Sequence, residues 1–506
     1  MRAVKDSLAA PPDGEVGKPG RPSPGQKARL GVPVGGRVRE LRAVGDSPGQ
    51  HKVMNTAGLI NSVMQIPSSP IRPLLKKLIV RGLTSVNAST AVCQAISRND
   101  DGLRIGRRRY DLRRYNQVVV VGAGKATASM AQAIEQRLGP LLGHGLVVVK
   151  YGHDLPTKRI VVAQAGHPVP DQSGQQAAAR LCAIASELGR RDLLIVLLSG
   201  GASSLLPCPI PGVTLADKQR TTRELLRCGA SIQEVNTVRK HLSRIKGGRL
   251  AELTKASVVT LILSDVLDDD LSAIASGPTV PDPTTYQDAK AVLKRYRIWR
   301  AVPQRVRRHL DRGCQGLVNE TPKPGSSLFR RVYHYIIGNN GAAVTAVARA
   351  AREAGLRTFV HTPALTGEAR EAGKRFGALA KQIARSGKPL HRPCCVVAGG
   401  ETTVTVTGKG TGGRAQEFAA AAALEISGLA RAWVVAIGTD GTDGPTDAAG
   451  AVVDGDTVAR AQRCAIDLED ALKRHDIHPA LKRLHQLITT GPTGTNVNDL
   501  YLLLLL

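Results

Sequence analysis

A chain of 506 residues has room for two or three domains, and 70 basic against 41 acidic side chains give it a formal charge of +29. That charge raises nucleic acid as a partner, but aromatic residues form only 3% of the chain, so platforms for stacking bases are scarce and a specific nucleic-acid role is disfavoured. Eight scattered cysteines without a C-x-x-C pair exclude a zinc or disulfide framework, and no apolar run reaches the roughly 18 residues of a membrane helix, so we expect a cytoplasmic protein.

The first segment is rich in Gly, Pro and Arg and has no apolar period, so we predict a disordered leader over residues 1–70. A mitochondrial presequence is one alternative, although the early acids Asp6, Asp13 and Glu15 disfavour it. The other alternative is that translation begins at Met54 and the preceding residues are a spurious extension.

Regular structure is predicted from Ile71 onward. After a helical stretch, runs of apolar and β-branched residues predict strands of a buried parallel sheet at 118–121, 145–149, 160–163, 193–198 and 258–263. Helical patterns separate these strands, and such alternation is typical of α/β layering. We expect this first unit to extend from residue 71 to residue 325.

A second α/β unit is predicted over residues 326–506. The boundary is a polar, basic stretch that ends in Pro322, Pro324 and Gly325, and the strand pattern HYIIGNN follows it. Helices are predicted at 341–354, 367–386 and 413–427, and further strands alternate with them. The apolar tail at 502–506 predicts a last buried strand. The sequence therefore predicts two doubly wound, Rossmann-like α/β domains with an active-site cleft between them.

The first predicted strand ends in the turn GAGKA, where Gly122 and Gly124 precede Lys125. Such a turn aims free backbone N–H groups and a helix N-terminus at one point, which suits an anion. Thr127 breaks the dinucleotide fingerprint, and the phosphate-cradling loop would need Gly at 119 and Ser or Thr at 126. The turn fits neither motif, yet its lysine lies where a phosphate would bind.

Two further segments are candidate binding elements for substrate or nucleotide. The loop SGGASSLL follows the strand at 193–198, and its glycines and hydroxyls permit a close approach to a ligand. The segment VRKHLSRIKGGRLA at 238–251 gathers six basic side chains that would attract an anion, although a solvated basic helix is the alternative. The predicted binding residues are Ser199, Gly200, Gly201, Ser203, Arg239 and Lys246.

Acidic side chains crowd the segment SDVLDDDLSAIASGPT, directly after the strand at 258–263. Carboxylates this close repel one another, and Mg²⁺ held by one or two of them together with substrate phosphates relieves the repulsion. Capping of a helix N-terminus is the alternative for the later aspartates. Asp265 precedes the turn and is the stronger candidate for the site, whereas Asp269 or Asp270 could be caps alone. A second acidic loop, GTDGTDGPTDAAGA at 438–451, contains Asp440 and Asp443.

Arg414 follows Gly412 and Gly413 at the predicted start of a helix. A permanently charged, planar fork beside free N–H groups suits a phosphoryl group in transfer. Phosphoryl transfer needs positioning, a metal and cations, with little covalent chemistry. The residues therefore favour a small-molecule kinase whose site lies between the two domains.

Eight motifs, in their order along the chain, resemble the glycerate 2-kinase family, the class II glycerate kinases with DUF4147 and MOFRL domains. The resemblance covers about residues 71–506, and its motifs are GAGKA, GHPVPD, LLSGGASSLL, VRKHLSRIKGGRLA, SDVLDDDLSAIASGPT, GGETTVTVTGKGTGGRAQE, GTDGTDGPTDAAGA and GPTGTNVNDL. It implies ATP-dependent phosphorylation of D-glycerate at the 2-hydroxyl, with Mg²⁺, to give 2-phosphoglycerate and ADP. We expect a monomer or a homodimer.

The resemblance also implies roles for individual residues. Lys125 would hold a phosphate or the glycerate carboxylate, and Arg414 would stabilise charge on the transferred group. Asp265 with Asp270 would bind Mg²⁺ or orient the hydroxyl, and Asp440 and Asp443 are the second candidates for these roles. One departure is Asp268, at a position where the family usually has glycine.

Two other functions compete with the kinase. An NAD(P)H-dependent hydroxypyruvate reductase would need a better dinucleotide fingerprint and an acid about 20 residues later for the ribose. Glu135 comes too early for that role, and no other acid precedes Val149. A regulatory protein that only senses a nucleotide would not need two acidic loops.

Overall fold

The computed structural model describes residues 62–99 and 102–506. Most of the predicted leader, residues 1–61, lies outside this range. The remainder of that leader is ordered, which corrects its boundary: Met64 and Ile66 are buried, and Gln65 exchanges backbone hydrogen bonds of 2.9 and 3.1 Å with Thr489. Two apolar side chains two residues apart share one face of an extended segment, and here that face meets the second unit.

Three sheets are described. Their strands are β1 (Ile96–Asn99), β2 (Gly102–Ile105), β3 (Arg108–Asp111), β4 (Gln117–Ala123), β5 (Leu142–Lys150), β6 (Ile160–Ala165), β7 (Asp192–Leu198), β8 (Ser257–Leu263), β9 (Val332–Gly338), β10 (Arg357–Leu365), β11 (Cys394–Gly400), β12 (Ala432–Gly438), β13 (Gly450–Asp454), β14 (Leu487–Ile488) and β15 (Asp499–Leu505). The first three strands form a small antiparallel sheet.

The helices connect and cover these sheets. They are α1 (Arg72–Ser85), α2 (Ala88–Ala95), α3 (Thr127–Leu138), α4 (Gln172–Glu187), α5 (Ala202–Leu205), α6 (Leu215–Arg227), α7 (Ile232–His241), α8 (Arg249–Leu253), α9 (Tyr286–Arg295), α10 (Gln304–Cys314), α11 (Asn340–Glu353), α12 (Ala369–Ser386), α13 (Arg414–Glu425), α14 (Thr457–Arg463), α15 (Leu468–Lys473) and α16 (Ile477–Arg483). None of these helices is both long enough and apolar enough to cross a membrane.

The first large sheet has the order β6-β5-β4-β7-β8-β9, and all of its pairs are parallel. The five strands predicted for this unit are all present. The sixth strand, β9, was expected to open the second unit but pairs with β8 instead. A parallel pair needs a long crossover, and α9 and α10, in the stretch taken as a domain boundary, supply it.

The second large sheet has the order β10-β11-β15-β12-β13-β14 and is mixed. The predicted last strand, β15, is a central strand that runs antiparallel to both neighbours. It is buried on both faces: Leu502 packs in a core with α11, and Leu503 packs in another with α12 and α13. Helices on both faces confirm the doubly wound prediction, although the strands are not all parallel.

One apolar core runs between the two large sheets. It contains Val120 and Ile195 of the first sheet, Val397 and Leu502 of the second, and residues of α1, α3 and α11. Helix α1 packs against α11, so the helix that begins the first unit also contacts the second. This packing brings the loops that follow β4, β7 and β8 towards the loops that follow β11 and β12.

Candidate active site

The turn after β4 is held by the loop after β7. The backbone N–H of Lys125 donates to Gly200 O at 2.9 Å, and the N–H of Ala126 donates to Ser199 Oγ at 3.1 Å. Gly124 has a φ of +142°, and a Cβ there would collide with Ser199. Its own N–H donates to Val148 O at 3.0 Å.

This arrangement corrects the expectation of free N–H groups in the turn. Gly122 lies within β4 in register with Leu197, so neither glycine offers its backbone to a ligand. Ser199 is buried and also contacts Thr127 Oγ1 at 3.1 Å, so its hydroxyl links the loop after β7 to the turn after β4. The anion-binding group that remains on the turn is the Lys125 ammonium.

Lys125 reaches from the first unit to the second. Its Nζ lies 3.8 Å from Asp440 Oδ2, in the loop after β12, and both side chains are about one quarter exposed, at 23% and 28%. The other oxygen of Asp440 accepts hydrogen bonds from the N–H and hydroxyl of Thr442, each 3.0 Å long. Two loops that are distant in sequence therefore meet at one ion pair.

Asp265 faces the same place from the end of β8. A Cβ on Gly200 would collide with its carboxylate and would lie 3.0 Å from Asn496 Nδ2. Asn498 donates to the Asp265 backbone carbonyl at 2.9 Å. Burial raises the pKa of Asp265 to about 6, with Glu401 adding to the shift and Lys125 opposing it. A carboxylate with such a pKa can accept a proton near neutral pH.

Arg414, the first residue of α13, is held by two carboxylates. Its Nε and Nη2 donate to the two oxygens of Asp499 at 2.7 and 2.9 Å, and its Nη1 donates to Glu401 at 2.5 Å. Asp499 is buried and also accepts from the Tyr501 hydroxyl at 3.0 Å, whereas the Glu401 side chain is 44% exposed. The inner side of the guanidinium is thus fixed by a buried carboxylate, and its outer partner is partly exposed to solvent.

The N–H groups at the start of α13, expected to be free, are capped by Asp443. Its two oxygens accept from Ala415 N at 3.0 Å and Gln416 N at 2.9 Å, and the Gln416 side chain donates to it at 3.0 Å. A Cβ on Gly413 would collide with this carboxylate. Asp443, a metal candidate from sequence, is therefore a buried helix cap, and Gly413 lets its carboxylate approach, whereas a Cβ on Gly412 would meet Ile477.

The later aspartates of the acidic segment shape their own loop. Asp268 and Asp269 have φ values of +62° and +52°, and Asp269 accepts a hydrogen bond from Asn339 at 2.5 Å. Asp270 is exposed and accepts from Ser272 N at 2.8 Å. No hydrogen bond or ion pair within the described part of the chain joins Asp270 to Asp265 or Asp440, and its role as a metal ligand stays a prediction.

The charges of Lys125, Glu401 and Asp440 all act on Asp265. Burial raises the pKa of Asp265, Glu401 and Asp440 add to the rise and Lys125 opposes it, which places each of these three groups within electrostatic reach of Asp265. Across residues 62–99 and 102–506, no group of three or more His, Cys, Asp or Glu side chains is close enough to hold a metal ion. A cation here would need further ligands from a reactant.

Several residues of this cluster carried no predicted role. Glu401, Asn496, Asn498 and Asp499 lie in the quoted motifs, where the signal was only a polar run beside a strand. His167 of the GHPVPD motif also approaches, because its Cδ2 would lie 2.9 Å from a Cβ on Gly201. Burial, helped by Lys125, lowers the pKa of His167 to about 4, so its imidazole is neutral at pH 7.

The predicted residues Ser203, Arg239 and Lys246 lie behind the loop that follows β7. Lys246 Nζ donates to the backbone carbonyls of Ser203 and Ala275 at 3.0 and 3.3 Å. The Ser203 hydroxyl contacts Ser276 Oγ at 2.9 Å. These residues are joined to the Lys125 cluster through Gly200 and Gly201 and do not touch Lys125 themselves.

Comparisons with known proteins cover both units. Residues 74–311 match the model of a domain of unknown function, DUF4147, and residues 394–499 match the MOFRL family. The chain is 43% identical over 431 residues to a glycerate 2-kinase of Pyrococcus horikoshii, covering 85% of this chain and 96% of that protein. A relative from Agrobacterium vitis, named only provisionally as a hydroxypyruvate reductase, is 44% identical over 390 residues, or 76% of this chain and 87% of that protein. The crystal structure of a glycerate kinase from Thermotoga maritima has a TM-score of 0.77 at 39% identity, covering 86% of this chain and 99% of that one.

Proposed function

The chain belongs to the glycerate 2-kinase family, and on this premise we propose that it transfers a phosphoryl group from ATP to the 2-hydroxyl of D-glycerate, giving 2-phosphoglycerate and ADP. The observation that carries this reaction is the meeting of Lys125 and Asp440, 3.8 Å apart, at the edge where both large sheets end. Phosphoryl transfer needs positioned cations and carboxylates rather than a covalent nucleophile. The cluster offers both kinds of group.

Lys125 and Arg414 are the cations nearest the proposed transfer. The Lys125 ammonium binds an oxygen of the transferred phosphoryl group or the glycerate carboxylate. Arg414 is kept in place by Asp499 and turns its outer N–H towards the phosphoryl group when Glu401 gives way to it. Removing a single positioned donor of this kind typically costs 10²–10³ in rate.

Asp265 is the proposed base. Its carboxylate accepts the proton of the 2-hydroxyl as that oxygen bonds to phosphorus. A raised pKa near 6 leaves it ionised at pH 7 while keeping appreciable affinity for the proton. Its place against Gly200 fixes the direction from which the hydroxyl approaches.

The acids around Lys125 suit Mg²⁺ bound together with the nucleotide. Magnesium in kinases is usually held by one or two carboxylates and by substrate phosphates, and it neutralises charge on the phosphate oxygens. Asp440 keeps one oxygen turned to Lys125, so Asp440 together with the phosphates of the nucleotide would hold the ion. Asp443 is excluded from that role because its oxygens cap α13.

A hydroxypyruvate reductase is the second candidate, favoured by the provisional name of the Agrobacterium vitis relative. A dinucleotide would need free N–H groups on the first glycine turn and an acid at the end of the neighbouring strand for its ribose. Here the N–H groups of Gly124, Lys125 and Ala126 all donate within the protein, and β5 ends at Lys150. These features favour the kinase.

The test is product identification by NMR after incubation with D-glycerate, ATP and Mg²⁺. We expect 2-phosphoglycerate from the unaltered protein and from Lys473→Ala, which removes an exposed lysine, and none from Lys125→Ala. A 3-phosphoglycerate product would contradict the proposed position of transfer. Oxidation of NADH with hydroxypyruvate, without phosphorylation, would overturn the kinase.

A further inference from the structure

Three cationic side chains meet behind the loop that follows β7. Lys218 comes from α6, Arg239 from α7, and Lys246 from the segment after α7. Lys218 is 9% exposed and Lys246 is 3% exposed. Burial lowers the pKa of both lysines; Arg239 lowers both further, and Lys218 lowers that of Lys246, so the three groups are within electrostatic reach of one another.

This cationic cluster, Lys218 with Arg239 and Lys246, has no carboxylate partner among the described residues. Lys218 Nζ is buried without a hydrogen-bond acceptor, and Arg239 makes no ion pair with any described residue. Within the part of the chain that the structure describes, Lys246 Nζ donates to two backbone carbonyls and to no carboxylate. The adjacent Lys240 differs, because its Nζ lies 3.4 Å from the buried carboxylate of Asp282. The fold thus supplies a counter-ion to one buried lysine and withholds it from two others.

Among the described residues, the thiol of Cys208 is the acidic group whose charge acts on Lys218 and Lys246. Its Sγ lies 3.6 Å from that of Cys182, and this hydrogen bond, with Arg244, Lys218 and Lys246, lowers the pKa of Cys208 to about 7. Even when ionised, one thiol carries a single negative charge, which is fewer than the three basic side chains of the cluster would need. Unpaired buried charges are strongly disfavoured, so the arrangement is suited to an anion that arrives from outside.

The cluster adjoins the candidate active site. Lys246 holds the carbonyl of Ser203, and two residues earlier Gly201 lies against Lys125, whose Cγ would be 3.6 Å from a Cβ there. On the other side, Gln219, next to Lys218, donates to Pro170 O at 2.7 Å, in the same loop as His167. One short loop therefore separates the cluster from Lys125.

We propose that Lys218, Arg239 and Lys246 form an oxyanion subsite that receives one end of a reactant, either the phosphates of the nucleotide or the carboxylate of glycerate. The identity of these reactants rests on the proposed function, whereas the affinity for an oxyanion does not. Lys218 is the decisive member, because its ammonium has no other partner to hold it in place.

The experiment compares the unaltered protein with Lys218→Met, and with Lys473→Met as an exposed control, by calorimetric titration and thermal unfolding. Methionine has a similar shape without the charge, so we expect the fold to be retained and the melting temperature to stay the same or rise, because an unpaired buried charge has gone. Inorganic pyrophosphate, D-glycerate and ATP are titrated separately. We expect the pyrophosphate dissociation constant to rise at least tenfold in Lys218→Met and to be unchanged in the control.

The other titrations identify the source of the oxyanion. A tenfold loss confined to ATP assigns the subsite to the nucleotide, and a loss confined to D-glycerate assigns it to the substrate carboxylate. Unchanged affinity for all three probes in a folded Lys218→Met protein would overturn the subsite. Lys218→Gln serves as the second variant if the methionine form does not fold. Since pyrophosphate binding needs no turnover, failure of the kinase assay alone leaves this test decisive.

Discussion

Asp499 binds Arg414 through two parallel hydrogen bonds, of 2.7 and 2.9 Å, from the first position of the last strand. The register places Asp499 opposite Gly400 of β11 and Gly438 of β12, so one buried carboxylate lies between the ends of both neighbouring strands. A planar fork on a fixed carboxylate has one orientation, which a single ammonium cannot reproduce. The last strand thereby sets the direction in which α13 presents its arginine.

Arg414→Lys should therefore lose activity although it keeps the charge. We expect kcat to fall by about 10²-fold, because the ammonium cannot hold Asp499 and reach the phosphoryl group together. Asp499→Asn should also lose activity and should lower the free energy of unfolding by about 3 kcal/mol, since one partner of a buried pair is removed. Steady-state kinetics and chemical denaturation measure the two effects. Wild-type kcat in Arg414→Lys would refute the bidentate requirement.

The pH dependence of the reaction should report on Asp265. Burial and Glu401 raise its pKa to about 6, and a protonated carboxyl cannot accept the hydroxyl proton. We expect kcat/KM to fall about tenfold per pH unit below pH 6 and to be level just above it. Because Glu401 raises this pKa, Glu401→Gln should move the acid limb to lower pH, whereas the exposed Glu469→Gln should leave it in place. A limb that moves upward in Glu401→Gln would contradict the role of Asp265.

Substitutions of Asp440 and Asp443 should differ in their effect on the Mg²⁺ concentration that the reaction needs. Asp443→Ala leaves the N–H groups of Ala415 and Gln416 without their cap, so we expect the unfolding free energy to fall by about 1–2 kcal/mol with the Mg²⁺ requirement unchanged. Asp440→Ala should raise the Mg²⁺ concentration needed for half-maximal activity at least tenfold, with little loss of stability. Titration of Mg²⁺ against initial rate, beside thermal unfolding, distinguishes the two. A changed Mg²⁺ requirement in Asp443→Ala would return that residue to the metal site.

The ends of the strands could be predicted from the sequence, but the side chains that pair with one another beyond those ends could not. Apolar runs located β4, β7 and β8, and the loops after them contain Lys125, Ser199 and Asp265 as predicted. Glycine-rich turns look alike whether their N–H groups are free or used, and here Ser199 accepts from Ala126 across 73 positions of sequence. Asp499 is 85 positions from Arg414 for the same reason. Both hydrogen bonds join residues that are far apart in the sequence, and a local sequence pattern does not reveal such pairs.

The pairing of strands with their neighbours in a sheet could not be predicted from local patterns either. The pattern HYIIG predicted a strand correctly, and nothing within it distinguishes the edge of the first sheet from the start of the second. The apolar tail likewise predicted a buried strand, whereas its central, antiparallel place depends on β11 and β12. Alternation of strands and helices favours parallel sheets in general. It could not show that the last strand would reverse direction.

The backbone conformation of Asp268, at a position where the family usually has glycine, leads to a prediction about stability. Its φ of +62° lies in the left-handed region, where a side chain costs about 1–2 kcal/mol and where glycine, or less well Asp and Asn, is tolerated. Asp268→Gly relieves this strain but adds freedom to the unfolded chain, so we expect the free energy of unfolding to change by less than about 1 kcal/mol. Asp268→Val should lower it by about 1–2 kcal/mol, because a β-branched residue is worst in this conformation. Denaturant unfolding of both variants, with Asp288→Gly and Asp288→Val in the first turn of α9 as controls of negative φ, measures the difference. If Asp268→Gly were less stable than Asp268→Val, the left-handed backbone at position 268 would be ruled out.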